Sequence, residues 1–303
     1  MFSAKVKSYA KINLSLNIAG TAGGYHLIAS AVCSIAIYDT VCATPRRDAL
    51  VNVYMRGRGS ESIPPEKNNA VKAGEAFVSA FGTRGADIEI FKDIPVGAGL
   101  GGSSADAAGV LNALAKLYKI DAPAELKALA DGLGSDTGYM LRGGFARISG
   151  RGERVEPIFS PRQYNMLLFL PDSPVSTPAC YKKYDGSPDP LRADTARLCA
   201  ALAAGDFAGV AANAYNALGV PACALNPECA AALAAAGALS PSACAVTGSG
   251  SAVFALFESE ELCRWAKSRY RGKIKTRIVK TVEPRRGGAF LRNPYRLNES
   301  DTK

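Results

Sequence analysis

The clearest chemical pattern in the chain is a glycine-rich segment at residues 95–108, with the sequence PVGAGLGGSSADAA. Glycine lets the backbone turn with positive φ and approach a ligand closely. Ser103 and Ser104 stand where an amphipathic helix begins, so backbone N–H groups and the positive end of the helix dipole would face the loop. These features predict a cradle for an anion, and the phosphates of a nucleotide suit it.

Several interpretations of this loop compete on residue types alone. A Walker A loop is excluded because GxxxxGK followed by Ser or Thr does not occur. A dinucleotide fingerprint matches formally, since Gly97, Gly99 and Gly102 give GxGxxG and Asp121 follows about 20 residues later. That match is weak, because the acidic residue should end a strand, whereas residues 116–121 close a predicted helix. A purely structural glycine turn is a further alternative.

Two charged residues elsewhere could carry out phosphoryl transfer. Lys11 lies in an otherwise apolar strand, where an inward-facing charge needs a partner, and Asp136 follows a predicted helix and Gly134-Ser135. An ammonium could help lower the pKa of a hydroxyl, and a carboxylate beside it could accept the hydroxyl proton. Residue type alone also allows Lys11 to face outward and Asp136 to cap a helix or lie in a turn. Asn13 lies two residues from Lys11 and so shares its strand face, where residue type alone allows it a plain edge hydrogen bond.

Composition places the chain among globular proteins, because its 303 residues are 48% hydrophobic and 21% charged and include 30 glycines. The eight cysteines form no CxxC pair and only one histidine is present, which argues against a Cys/His metal site. We expect free thiols in a reducing cytoplasm. We see no leader sequence at the start of the chain, and charges and a proline interrupt the Ala-rich stretch at residues 193–239, so we expect soluble helices.

The formal net charge of +9 suits an acidic ligand or a nucleic acid. The basic excess is concentrated between residues 264 and 296. A run of this kind is commonly a solvated face, so the charge by itself decides little about function.

The hydrophobic patterns predict the elements that must position these residues. In the first half we expect strands at 5–18 and 29–41 around a tight turn at Gly23-Gly24, a helix at 69–81, a strand at 86–91, helices at 104–118 and 123–133, and a strand pair around 145–155. In the second half we expect a strand at 166–170, Ala-rich helices, a strand at 252–257, a helix at 260–270 and a strand at 275–282.

Strands and helices mix in both halves without regular alternation, which favours an α+β fold over a doubly wound sheet. The pattern restarts after Pro161, so we place a domain boundary near residue 160. The predicted units are residues 1–160, residues 161–287 and a polar tail at 288–303.

Five ordered segments resemble the GHMP kinases, particularly the branch that acts on 4-diphosphocytidyl-2-C-methyl-D-erythritol. The glycine-rich loop resembles the second signature motif of that family. The other segments are YAKINLSLNI, GGYHLIASAVCSIAIYDTV, LGSDTGYML and VTGSGSAVFAL, and VSTPACYKKYD matches a more variable part. The resemblance covers roughly residues 5–257, nearly the whole chain, and the shared order of the segments makes it specific.

The resemblance implies a two-domain GHMP kinase fold, with an N-terminal domain like one found in a ribosomal protein and a ferredoxin-like C-terminal domain. It implies ATP and Mg²⁺ as cofactors, and phosphorylation of the 2-hydroxyl of the cytidyl substrate in non-mevalonate isoprenoid synthesis. The catalytic residues would be Lys11 and Asp136. The other roles it implies are substrate contacts by Asn13, Tyr25, His26 and Tyr181, and nucleotide contacts by Asn69, Pro95, Gly97, Gly99, Leu100, Gly101, Gly102, Ser103 and Ser104.

Some of these assignments have structural alternatives. Asn69 could be a plain helix cap, Tyr181 a structural aromatic, and the segment 247–250, which would complete the site beside the loop, a simple turn. Asp106 could reach the metal–phosphate region through water, but support of the first helical turn is the stronger expectation. Mg²⁺ would be held largely by the phosphates, with Ser104 as the candidate protein ligand.

The chain departs from the family pattern at three places. Gly23 stands before Gly24-Tyr25-His26 where the family usually has Asp, GGSSAD replaces GGGSSD in the loop, and Thr137-Gly138 replaces the usual Val-Pro after Ser-Asp. The last change bears on how Asp136 is held.

Three rival functions remain at this point. A GHMP kinase for mevalonate or homoserine is disfavoured by Gly-Tyr-His and the AKINL strand, and a nucleotide-dependent oxidoreductase rests on GxGxxG alone. An RNA-binding protein would use the basic C-terminal third, but interleaved aromatics are sparse there. We expect a small-molecule substrate, no membrane or nucleic-acid partner, and a monomer or weak homodimer.

Overall fold

A long β-hairpin forms the first part of the structure, a computed structural model that describes residues 3–57, 68–187 and 193–283. Its strands are β1 (Ala4–Ala22) and β2 (Tyr25–Pro45), paired antiparallel. The turn between them uses Gly23 and Gly24 at φ 57° and 79°, a conformation that glycine adopts without steric cost. The predicted tight turn is confirmed. The predicted tail at 288–303 lies outside the described residues.

The hairpin is the centre of a seven-stranded sheet within the described residues. The first half of β2 pairs with β5 (Phe145–Gly150), and β5 pairs with β6 (Arg154–Ile158). The second half of β2 pairs with β4 (Ala86–Phe91), which runs parallel to the edge strand β3 (Val51–Arg56). On its other side β1 pairs with β8 (Tyr215–Asn216), a two-residue strand from the second half of the chain.

Four helices lie in the first half of the chain that the structure describes: α1 (Asn69–Phe81), α2 (Gly102–Tyr118), α3 (Pro123–Leu133) and α4 (Thr137–Met140). Helix α2 is rich in Ala and Leu and is buried along most of its length. It packs with α1 against the sheet in a core that includes Phe77, Ile88, Leu111 and Leu114. This packing fixes the start of α2, and therefore the loop before it.

The second half of the chain builds an antiparallel four-stranded sheet. Its order is β11 (Lys275–Lys280), β7 (Asn165–Leu170), β10 (Val253–Phe257) and β9 (Ala243–Val246). The helices of this half are α5 (Thr177–Asp185), α6 (Thr195–Ala204), α7 (Phe207–Ala212), α8 (Gly219–Leu225), α9 (Pro227–Gly237) and α10 (Glu260–Arg269). No helix in the described ranges has the length and apolar character needed to cross a membrane.

The structure confirms most predicted elements and adds several. Strands β3, β8 and β9 and helices α4 and α5 were not predicted, because each is too short or too mixed in composition to show a period. Helix α2 begins at Gly102, two residues before the predicted start. All eight cysteines are free thiols, and four of them are buried. One hydrophobic cluster joins Ile12 and Leu14 of β1 to Leu168 and Phe254 of the second sheet, so the two sheets share a core.

Candidate active site

A cavity of about 790 Å³ brings the predicted site residues together. Its walls come from β1, the start of β2, the glycine-rich loop, residues 135–136, helix α5 and residues 248–250. All predicted site residues except Asn69 line it, namely Lys11, Asn13, Tyr25, His26, Pro95, Gly97, Gly99, Leu100, Gly101, Gly102, Ser103, Ser104, Asp136 and Tyr181. Residues far apart in the chain therefore share one site.

Lys11 points into the protein, as the hypothesis of a catalytic role requires. Its side chain is only 6% exposed, and its Nζ lies 3.3 Å from Oδ2 of Asp136. The backbone N–H of Lys11 donates to the carbonyl oxygen of Leu100 at 3.0 Å, which ties strand β1 to the loop. The outward-facing alternative for Lys11 is therefore wrong.

Asp136 occupies the position before α4, but its carboxylate makes no capping hydrogen bond there. The carboxylate is partly exposed and faces Lys11 instead. Its neighbour Gly138 packs so closely that a Cβ at that position would collide with Oδ1 of Asp131. With Thr137-Gly138 in place of the family's Val-Pro, the Asp136 carboxylate still lies beside the lysine.

Asn13 holds the lysine from the same strand face. Its Oδ1 accepts a hydrogen bond from Nζ of Lys11 at 2.5 Å, and its Nδ2 donates to Oγ of Ser30 at 2.8 Å. The backbone N–H of Asn13 donates to Oγ1 of Thr247 at 3.0 Å. The shared face of Lys11 and Asn13 is confirmed, while the predicted contact of Asn13 with a substrate hydroxyl stays a prediction.

The glycine-rich loop has glycine at positions whose backbone conformation other residues rarely adopt. Gly97, Gly99 and Gly101 have φ of 70°, 77° and 75°, in the left-handed region. A Cβ on Gly99 would collide with the carbonyl oxygen of Thr247, so the loop and residues 247–250 pack backbone to backbone. Because Gly101 is the N-cap, no side chain caps the first turn of α2. The loop and helix start thus provide backbone donors suited to an anion.

Asn68, and not Asn69, caps helix α1. Oδ1 of Asn68 accepts from the backbone N–H of Ala70 at 3.0 Å, and Asn68 lines the cavity. Nδ2 of Asn69 donates to Oγ of Ser103 at 3.1 Å, which links α1 to the loop. The capping alternative for Asn69 is wrong, and its contact with adenine stays a prediction.

Aromatic side chains form the other end of the cavity. The rings of His26 and Tyr181 lie 4.6 Å apart between centroids at an angle of 31°, and Nε2 of His26 lies 2.7 Å from Oδ1 of Asp185. Tyr25 is exposed, and the Arg151 guanidinium lies 5.1 Å from the centre of its ring. Burial, with a smaller effect from the Asp136 charge, raises the pKa of Tyr181 to about 12, so the phenol stays neutral.

Sequence reasoning missed a buried charge cluster beneath the loop. Nζ of Lys92 contacts the carboxylates of Asp39 and Asp106, the latter at 2.6 Å, and the three side chains are at most 3% exposed. Asp39 also accepts the backbone N–H groups of Asp93 and Ile94. Asp106 therefore joins an ion pair, and the expectation that it mainly supports the first turn of its helix is wrong.

The charges of this cluster shift two pKa values. Burial raises the pKa of Asp106 to about 8, against the opposing effect of Lys92. Burial disfavours the charge on Lys92 as well, but the two carboxylates outweigh it and raise the pKa of the lysine. No residue pattern signalled this cluster, because its members come from β2, the segment after β4, and α2.

The oxidoreductase interpretation of the loop is wrong. Asp121, the candidate ribose ligand, lies between α2 and α3 and does not end a strand. The acidic residue of a dinucleotide fingerprint should stand at such a strand end.

Comparison with known proteins shows which family this sequence resembles. Residues 68–146 match the GHMP kinases N terminal domain. The 4-diphosphocytidyl-2-C-methyl-D-erythritol kinase of Cutibacterium acnes is 38% identical over 74% of this chain and 76% of its own length. The enzyme of the same name from Pelotomaculum thermopropionicum is 37% identical over 91% of this chain and 97% of its own length. The chain belongs to this kinase family.

Solved structures agree on the fold. A crystal structure of 4-(cytidine 5'-diphospho)-2C-methyl-D-erythritol kinase superposes with a TM-score of 0.74 at 29% identity and covers 91% of this chain and 98% of that one. Homoserine kinase from Cytophaga hutchinsonii superposes with a TM-score of 0.70 at 18% identity, covering 93% and 95%, which shows the shared fold alone. The α+β, two-domain GHMP kinase fold is confirmed, and membership in this family of small-molecule kinases implies the use of ATP.

Proposed function

We propose that this protein transfers the γ-phosphoryl group of ATP to the 2-hydroxyl of 4-diphosphocytidyl-2-C-methyl-D-erythritol, a step of non-mevalonate isoprenoid synthesis. The observation that carries the proposal is the Lys11–Asp136 pair, 3.3 Å apart in the cavity that also holds the glycine-rich loop and the His26–Tyr181 pair. The sequence relatives that bear this activity in their names match most of the chain. Rival alcohols such as mevalonate or homoserine are outcomes of the test below.

The reaction needs a deprotonated hydroxyl and a stabilised γ-phosphoryl group. In this site the Asp136 carboxylate accepts the hydroxyl proton or orients and polarises the hydroxyl, and the Lys11 ammonium meets the charge that develops on the attacking oxygen and the phosphoryl group. Asn13 keeps the ammonium on the cavity side of β1 through its 2.5 Å hydrogen bond. The three side chains position the attacking oxygen, and such positioning of reacting groups contributes a large part of the rate enhancement.

The loop at residues 95–104 would hold the ATP phosphates. Its positive-φ glycines leave no side chain between the backbone and the ligand, and the uncapped start of α2 faces the same space. Asn69 would bind near the adenine, on the α1 side of the loop.

Mg²⁺ would arrive with the nucleotide and neutralise charge on its phosphates. In the described ranges no group of three or more His, Cys, Asp or Glu side chains is placed to hold a metal ion. The donors present therefore fit an ion held by the phosphates, water and the Ser104 hydroxyl at the helix start.

The aromatic end of the cavity would bind the cytosine. Tyr25 and Tyr181 offer ring faces for stacking, and His26 offers ring and backbone polar groups for the base edge. We further propose that residues 1–160 and 161–287 are the two domains, that the tail is 288–303, and that the protein works in the cytoplasm as a monomer or weak homodimer.

A coupled ADP-release assay tests the proposal, with Mg-ATP and the cytidyl substrate, mevalonate and homoserine offered in parallel. We expect turnover of the cytidyl substrate alone. Turnover of another alcohol would keep the kinase assignment and discard the substrate, whereas no turnover of any of them would overturn the proposal.

Variants test the roles of the catalytic pair. We expect Lys11→Met and Asp136→Asn each to lower kcat by about 100-fold or more with little change in ATP binding. The exposed residues Lys5, on the same strand, and Asp121 provide the matched controls Lys5→Met and Asp121→Asn, which should keep wild-type rates. Wild-type kcat in Lys11→Met or Asp136→Asn would remove that role.

A further inference from the structure

The His26 side chain is held on two sides by one helix. Its Nε2 lies 2.7 Å from Oδ1 of Asp185, and its ring packs on the ring of Tyr181. Tyr181 and Asp185 stand four residues apart on α5, so they lie on the same face of that helix. The imidazole is therefore fixed in both position and rotation, and neither the reaction nor the stacking role described above explains the carboxylate.

A carboxylate partner also decides where the imidazole carries its proton. An ionised Asp accepts hydrogen bonds and cannot donate them, so Nε2 of His26 must be the protonated nitrogen. In the neutral ring Nδ1 is then a bare acceptor. Without Asp185 the two neutral tautomers would compete, and Nδ1 would be a donor in one of them.

Whether Nδ1 donates or accepts a hydrogen bond matters because cytosine and uracil differ at position 4. Cytosine has an amino group there, which donates, whereas uracil has an oxo group, which accepts. An acceptor at Nδ1 pairs with the cytosine amino group and repels the uracil oxygen. Sites that hydrogen-bond a particular substrate group discriminate strongly against analogues that lack it.

We propose that Asp185 is a positioning residue that fixes the His26 tautomer, with Nε2 protonated and Nδ1 accepting from the 4-amino group, and thereby selects cytidine over uridine. This inference rests on the proposed function for the identity of the base. Asp185 itself does not line the cavity, so it acts through His26.

The tautomer can be measured without any substrate, because His26 is the single histidine of the chain. In protein labelled with ¹⁵N-histidine, the two ring nitrogens give one pair of signals that needs no further assignment. Spectra recorded at rising pH until the ring is neutral should show Nε2 protonated and Nδ1 bare in the wild type. Asp185→Ala should shift both signals towards a mixture of tautomers, and wild-type signals in that variant would overturn the proposal.

Kinetics test the consequence for the base. We expect Asp185→Ala to lower the ratio of kcat/KM for the cytidyl substrate to kcat/KM for its uridyl analogue by about tenfold or more, with kcat on saturating cytidyl substrate retained. Asp185→Glu, which keeps a carboxylate, should recover part of the ratio. The exposed Lys183 on the same helix gives the control Lys183→Ala, which should leave the ratio unchanged.

The results of these experiments distinguish failure of the Asp185 proposal from failure of the proposed function. If Asp185→Ala lowers kcat/KM for both substrates equally, Asp185 only supports the helix or the ring, and the inference fails while the proposed function stands. If the wild type does not turn over the cytidyl substrate, the proposed function fails and the base selectivity fails with it, whereas the NMR measurement still decides the tautomer.

Discussion

Replacing Lys92 by Met should remove the only cation of the cluster beneath the glycine-rich loop and leave the carboxylates of Asp39 and Asp106 buried together. Met keeps most of the apolar volume of the lysine stem, so the change is mainly one of charge. Because the three side chains are at most 3% exposed, water compensates poorly for the lost partner. Breaking a buried ion pair in this way costs about 3–5 kcal/mol. That is a large part of the about 5–15 kcal/mol that stabilises a typical protein.

Asp106→Asn in the same cluster should behave differently. The wild-type site crowds two carboxylates around one ammonium, and the pKa of Asp106 is raised to about 8, mainly by burial. An acid whose pKa is raised on folding contributes stability that is fully present below its unfolded value of about 4 and is lost as pH rises through the folded value. The amide carries no charge to bury, so this loss between pH 4 and 8 should be absent from Asp106→Asn.

Urea unfolding followed by circular dichroism measures both effects. At pH 9 we expect Lys92→Met to lose about 3–5 kcal/mol, and Asp106→Asn to be at least as stable as the wild type. Lys72→Met, on the exposed face of α1, is the matched control and should change stability by less than about 0.5 kcal/mol. A loss of less than about 1 kcal/mol in Lys92→Met, or an equal loss in Asp106→Asn, would show that the lysine does not offset the buried carboxylates.

Three further changes give separate tests. Gly99→Ala should raise the KM for ATP by about tenfold or more, because its Cβ would collide with the Thr247 carbonyl oxygen and its φ is positive; an unchanged KM would contradict the loop geometry. Arg277→Gln should lower the free energy of unfolding by at most about 1 kcal/mol, because its pairing with Asp93 is solvent-exposed, and a larger loss by urea unfolding would contradict this. Tyr139→Phe should cost about 1–2 kcal/mol by the same assay, since it removes the hydrogen bonds of a buried phenol; wild-type stability would show that they contribute nothing.

The sequence by itself determined the features that depend on local spacing. Gly23 and Gly24 specify the hairpin turn, since both need positive φ. The two-residue period of a strand places Lys11 and Asn13 on one face, and their hydrogen bond confirms it. The order of the family motifs also predicted most of the residues around the cavity. The turn and the shared strand face depend on neighbours in the chain, so the residue types alone carry that information.

Only the tertiary structure decided which distant residues meet. Lys11 contacts Asp136, His26 contacts Asp185, and neither spacing in the sequence predicts the distance between the partners. The Lys92 cluster was not predicted at all, because its members become neighbours only when α2 packs on the sheet. The role of Asp106 was assigned wrongly for the same reason. Burial and charge pairing are properties of the packed elements, and a local pattern of residue types does not contain them.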